Sequence, residues 1–200
     1  MASGGLTEAR IRAVSELRQS PPEQIARDAG AVWNERRGLL EVPYFNTTAS
    51  IRVADGKSEP EGRLTEKEEV LTLHYLLGCR APRATGQVIG FQELETGSVY
   101  LPSIVGRVYK PLVAAFGAHP EKLFERAAAL GGVRCAEPDN AIKFQAYPRV
   151  TVFLVFYPAD DEFPADCTML FDADVRGILT TEDVVVLCEE IAEHLVSGLH

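Results

Sequence analysis

Apolar positions recur along this chain with two periods, and the periods sort it into helices and strands. Val70, Leu73, His74 and Leu77 fall at i, i+3, i+4 and i+7, one face of a helix. Thr65-Glu66-Lys67-Glu68 marks its start as a capping box, in which Thr65 and Glu68 satisfy each other's orphan backbone donors. Gly78 stops it. The same spacing over Val184, Leu187, Cys188, Ile191 and Leu195 predicts a closing helix capped by Thr180 or Thr181. Residues 6–19 have helix-forming composition and are interrupted by Ser20-Pro21-Pro22. A second helix starts there, with Pro22 and Glu23 in its first turn, a stripe of Ile25, Ala29, Val32 and Trp33, and Gly38 as its end. A short helix over Tyr109–Phe116 closes at Gly117. Another opens at Pro120 with His119 as its N-cap, and ends at Gly131-Gly132.

Extended segments fill the gaps. Residues 39–53 read as extended, with Val42, Tyr44 and Phe45 followed by Thr47, Thr48, Ile51 and Val53. Asp55-Gly56 opens a polar loop over 55–63. Short strands are predicted at Val88–Phe91 and Val99–Leu101, around a turn at Glu95-Thr96-Gly97. Ile142, Phe144 and Ala146 alternate with Lys143 and Gln145, so that strand has one wet face. Val150–Tyr157 is apolar on both faces, which marks a central strand, and Cys167–Phe171 is the third of the series. The expected fold is α+β: a mostly antiparallel sheet with a C-terminal three-strand meander, packed by several helices. Residues 1–19 are expected to form an N-terminal helical arm, and 20–200 a single α+β domain.

Composition narrows the function classes. A 200-residue chain that is 46% hydrophobic can build a core without a disulfide or metal staple. No apolar run approaches membrane-spanning length, and Met1–Gly5 do not read as a secretory signal, so a cytoplasmic location is expected. The net charge of −9, with basic clusters no denser than Arg36-Arg37 and Arg80/Arg83, argues against nucleic acid and anionic membrane as partners. Cys79, Cys135, Cys167 and Cys188 are spaced by 56, 32 and 21 residues, which excludes a local zinc ribbon or iron–sulfur motif. Each reads as a small buried hydrophobe.

Candidate chemistry is sparse. There is no nucleophile elbow, P-loop or Gly-x-Gly-x-x-Gly. His74, on the apolar stripe of a well-capped helix, suits a metal or cofactor ligand; the ordinary alternative is a core imidazole bonded to backbone or carboxylate. Arg107, Tyr109 and Lys110 suit an anionic ligand, the alternative being a solvated face. His194 and His200 read as solvated. Acidic residues crowd 160–183, and Asp161, Glu162, Asp172 and Asp174 are candidates for a cation. Asp172, Asp174, Gly177, Leu179 and Asp183 partly echo a calcium loop. Arg176 stands at a ligand position, however, Asp183 replaces the bidentate glutamate, and a strand precedes the loop. Solvated turn carboxylates are the plainer reading.

Several motifs together resemble a known family. Leu64–Leu77 (LTEKEEVLTLHYLL) is similar to the signature helix of an uncharacterised domain family of anaerobic bacteria and archaea, one that carries a domain-of-unknown-function label. Gly86–Leu94, Tyr147-Pro-Arg149, Asp161-Glu-Phe-Pro164, Leu170-Phe-Asp172 and Leu179–Asp183 are similar too, so the likeness spans roughly residues 20–197. The resemblance implies members often fused to a cysteine-rich iron–sulfur module, in organisms with corrinoid and one-carbon chemistry. It supplies no catalytic residues, and this chain lacks the cysteine cluster. That context, together with His74 as a candidate axial ligand and the missing nucleophile, makes the expected function a non-catalytic binding or accessory module of anaerobic metabolism, for a tetrapyrrole, a corrinoid, or a partner redox or corrinoid protein. The alternatives are a carboxylate-dependent enzyme with a divalent cation, and a protein–protein adaptor.

Overall fold

The computed structural model describes residues 3–80, 86–136 and 141–197, so Arg83 and His200 lie outside the described residues. The capping box read at Thr65 forms, and of the two caps offered for the last helix the structure takes Thr180, also in a capping box. Thr65 caps α3 (Glu66–Gly78) and Thr180 caps α7 (Thr181–Val196), each through reciprocal bonds with the acid three residues on. Ahead of α3 come α1 (Ser3–Gln19), α2 (Pro22–Ala29), β1 (Val32–Asn34), β2 (Leu39–Tyr44) and β3 (Thr47–Arg52). Between α3 and α7 run β4 (Val88–Gly90), α4 (Gly97–Ile104), α5 (Lys110–Phe116), α6 (Pro120–Ala129), β5 (Val133–Arg134), β6 (Ile142–Tyr147), β7 (Val150–Tyr157) and β8 (Asp166–Asp172).

The strands form two antiparallel sheets. One has the order β1-β2-β3, the other β4-β8-β7-β6-β5. The meander β6-β7-β8 is therefore present as expected, and β7, apolar on both faces, is the central strand of the larger sheet. The two sheets meet where Phe45 N–H donates to the Ala146 carbonyl at 3.0 Å and the Tyr44 and Tyr147 rings lie 5.0 Å apart. The helices pack as a layer around α7, which touches α3, α4, α5 and α6. On the far side of α3 lies α1, which buries Leu6, Ala13 and Leu17.

Two expected elements change. The second helix ends at Ala29, where Gly30 takes φ 66° and its N–H caps the Ala26 carbonyl. Val32 and Trp33 then pair with Glu41 and Leu40 in a strand. The spacing of Ile25, Ala29 and Val32 was thus a coincidence of period, and the β-branched and aromatic residues took the extended backbone they favour. Val99–Leu101 is likewise helical. The turn at Glu95-Thr96-Gly97 leads into α4, which runs through Pro102 into a π-helical stretch over Val105–Tyr109 and on into α5.

Candidate functional site

The seam between α3 and α7 holds the chemistry. Contacts of Glu68 with His194 and of His74 with Asp183 fix the helices as antiparallel neighbours. Each helix places an acid at its third position. That acid gives one oxygen to its own cap and turns the other toward a histidine of the opposite helix.

At the first end, Asp183 Oδ2 accepts from Thr180 N–H at 3.1 Å and from its hydroxyl at 2.8 Å, while Oδ1 lies 2.6 Å from His74 Nδ1. A carboxylate only accepts, so Nδ1 carries the proton and Nε2 is the nitrogen left available. The hydrogen bond to Asp183 raises the His74 pKa; burial opposes this, and the charges of Asp183 and Glu16 reinforce it. His74 lines a cleft of ≈ 500 Å³ between α1, the end of α3 and the segment before α7, with Arg12, Glu16 and Arg80 on its rim. A second cavity of ≈ 650 Å³ adjoins it across Gly177, Ile178 and Thr180. The floor is tight: a side chain at Gly78 would collide with the Ile178 carbonyl, so only glycine lets α3 end there.

At the other end, Glu68 Oε2 accepts from Thr65 N–H at 2.8 Å, and its Oε1 accepts from Tyr44 O–H at 3.3 Å. His194 Nε2 stands 3.8 Å from the same oxygen, and its Nδ1 donates to the Glu190 carbonyl at 2.7 Å. Burial, and then the neighbouring Glu68, push the Glu190 carboxyl up to about 7. Between the two ends, Thr72 donates to the Glu68 carbonyl at 2.7 Å, so Tyr147 O–H is the donor in the 2.9 Å contact between them. Tyr147 stacks on Tyr75 with centroids 4.2 Å apart.

The other candidates read from the sequence do not converge on His74. Arg107 lines a different cavity and pairs with Glu189 at 3.1 Å. Tyr109 is buried, its hydroxyl accepting from Met169 N–H at 3.1 Å. With exposed Lys110 it borders a fourth cavity, against β8. Asp161 and Glu162 lie in the exposed turn between β7 and β8, whereas Asp172 and Asp174 lie at the opposite end of that hairpin. Seven residues of β8 separate the two pairs by roughly 20 Å. Asp172 accepts from Asp174 N–H at 3.1 Å in a 3₁₀ turn, and Arg176 binds the Glu93 carbonyl at 2.8 Å, so the calcium-loop echo is a helix approach. Cys79, Cys167 and Cys188 are buried as expected, and Cys135 is half-buried. Burial pushes Cys79 up to about 11 and Cys167 up to about 12, which keeps them as thiols.

Sequence reasoning passed over Glu68 and Glu190 as ligands. Glu68 was legible as a cap, which hid its second oxygen. Glu190 and His194 stand at i and i+4 on α7, a spacing that signals a shared helix face. His194 is 42% exposed, in keeping with a solvated residue, yet its ring packs against Phe45 with centroids 6.5 Å apart.

A family model described as a domain of unknown function (DUF3786) matches residues 21–194. The chain belongs to that family. The resemblance to an uncharacterised family thus holds, and the match takes in α3 and α7 with both ends of their seam. No curated protein and no solved structure matches the chain. No helix among the described residues is long and apolar enough to cross a membrane.

Proposed function

We propose that this DUF3786 chain is a ligand-binding accessory module whose site is the cleft at His74. The ligand class is a metal-centred macrocycle with anionic substituents, a tetrapyrrole or a corrinoid, and His74 Nε2 is its axial donor. One observation carries the reading: Asp183 holds His74 Nδ1 at 2.6 Å, a contact a core imidazole would also make, and His74, its Nε2 left as the donor nitrogen, lines an open cleft. A carboxylate behind a ligating imidazole is the usual way to orient it and raise its basicity. Arg12 and Arg80 on the rim suit carboxylate substituents, and the two adjoining cavities suit a large planar ligand. The bound group would supply the metal centre; the chain supplies position and charge. The carboxylates Asp161, Glu162, Asp172 and Asp174 do not favour the cation-dependent alternative, because they occupy opposite ends of one hairpin.

The test is absorption titration of the purified protein with hemin and with hydroxocobalamin. At least one should give a saturable shift of its main band. His74→Ala should abolish the shift while circular dichroism and melting stay cooperative. Asp183→Asn, which keeps a cap acceptor, should weaken binding by roughly 10–100-fold, as outer-shell changes do. If neither macrocycle shifts, or His74→Ala binds like the parent, the reading fails.

A further inference from the structure

The opposite end of the same seam is built differently, and it does not depend on the reading of the His74 cleft. At the His74 end the histidine and carboxylate close directly on each other. At the Glu68 end the His194–Glu68 gap is 3.8 Å, too long for a hydrogen bond, and a third group points into it. Ligand atoms of Glu68, Glu190 and His194 lie within 4.8 Å of one another.

Two features mark this trio as more than an acidic cluster. Glu190 is 3% exposed, and among the described residues its carboxyl accepts no hydrogen bond, although its oxygens are not sealed from solvent. A carboxylate buried beside another carboxylate without a donor is costly unless it takes up a proton or the two share a cation. Each of the other two groups is already aimed. The Glu190 carbonyl takes the His194 Nδ1 proton, so the Nε2 lone pair faces Glu68. Thr65 N–H and Tyr44 O–H hold the two oxygens of Glu68. Such outer partners are what a metal site needs in order to fix ligand orientation.

We propose that Glu68, Glu190 and His194 bind one divalent first-row transition metal ion, with zinc and ferrous iron the leading classes. The donor set of two carboxylates and one imidazole favours such ions over calcium or magnesium, which take all-oxygen shells. Three protein ligands leave a coordination position open, and His194, at the exposed rim, gives the ion a way in.

Cobalt(II) is the probe, because its visible bands report ligand type and geometry. Protein stripped with a chelator should bind one Co²⁺ per chain, with d–d bands and no thiolate charge-transfer band, and Zn²⁺ should displace it and raise the melting temperature. Glu190→Gln and His194→Ala should each weaken Co²⁺ binding by more than the roughly 10–100-fold that an outer-shell change costs. His194 is half-exposed, so its variant tests binding without threatening the core. Cys135→Ala and His119→Ala, which lie outside the trio, should bind as the parent does. The proposal is overturned if the parent takes up no Co²⁺ saturably, or if a cysteine charge-transfer band appears. Uptake that survives both ligand substitutions but is lost in His74→Ala overturns it too, since the ion would then sit in the other cleft.

Discussion

Asp183 gives its two oxygens different tasks, and the titration of His74 exposes the second of them. Oδ2 caps α7, and Oδ1 holds His74. The folded-state pKa of His74 is raised above its unfolded value, so protonation favours the folded state. That contribution is fully present below the unfolded value near 6.5 and fades as pH rises through the raised folded value. With no ligand added, His74→Gln should therefore cost about 1–2 kcal/mol at pH 5.5, the scale of a charge-assisted bond on a partly exposed group, and less at pH 9. Urea midpoints of the two proteins at both pH values measure this. A cost that is equal at both, or larger at pH 9, would mean that the imidazole stays neutral against Asp183.

The helices are tied at points that a period cannot show. Glu69, the neighbour of Glu68 on α3, pairs with Arg10 of α1, and its Oε1 also accepts from Ser58 N–H at 2.7 Å and the Ser58 hydroxyl at 2.8 Å. Glu69 is only 7% exposed. Replacing it with Ala would strand a largely buried guanidinium and a backbone donor, so Glu69→Ala should destabilise by about 3 kcal/mol or more. Chemical denaturation checks this, and a cost under 1 kcal/mol would show that α1 is loosely held. The same contrast explains what the sequence disclosed. Periodicity and capping chemistry revealed α3, α7 and the meander, because those signals are local. They misled at Val32–Trp33 and Val99–Leu101, where a glycine in the left-handed region and a rewound helix decided the backbone. His74 was legible because an imidazole on an apolar stripe is conspicuous. The partnership of Glu68 with Glu190 and His194 was not, since it arises only when two helices far apart in the chain cross.

At the scale of the molecule, α1 and the two ends of the seam separate into testable parts. The family match begins at residue 21, just beyond α1. Ala9, Arg12, Ala13 and Glu16 of α1 wall the His74 cleft, whereas Glu68, Glu190 and His194 meet without any α1 residue. What α1 adds to the core is mainly Leu6, Ala13 and Leu17, together with the Arg10–Glu69 pair. Two buried leucines at about 2 kcal/mol each, plus the pair, put its contribution near 5 kcal/mol. That lies at the lower end of the stability a whole domain holds, about 5–15 kcal/mol. A chain of residues 20–200 should still fold, because both sheets and the helix layer around α7 lie within it. Its melting temperature should fall by about 10–20 °C, given roughly 2–4 °C per kcal/mol at this size. It should lose macrocycle binding, whose cleft has lost a wall, and keep one Co²⁺ per chain at the far end of the seam. A chain that fails to fold cooperatively would make α1 integral to the domain and refute a 20–200 unit. Retained macrocycle binding would move the ligand out of the cleft that α1 encloses.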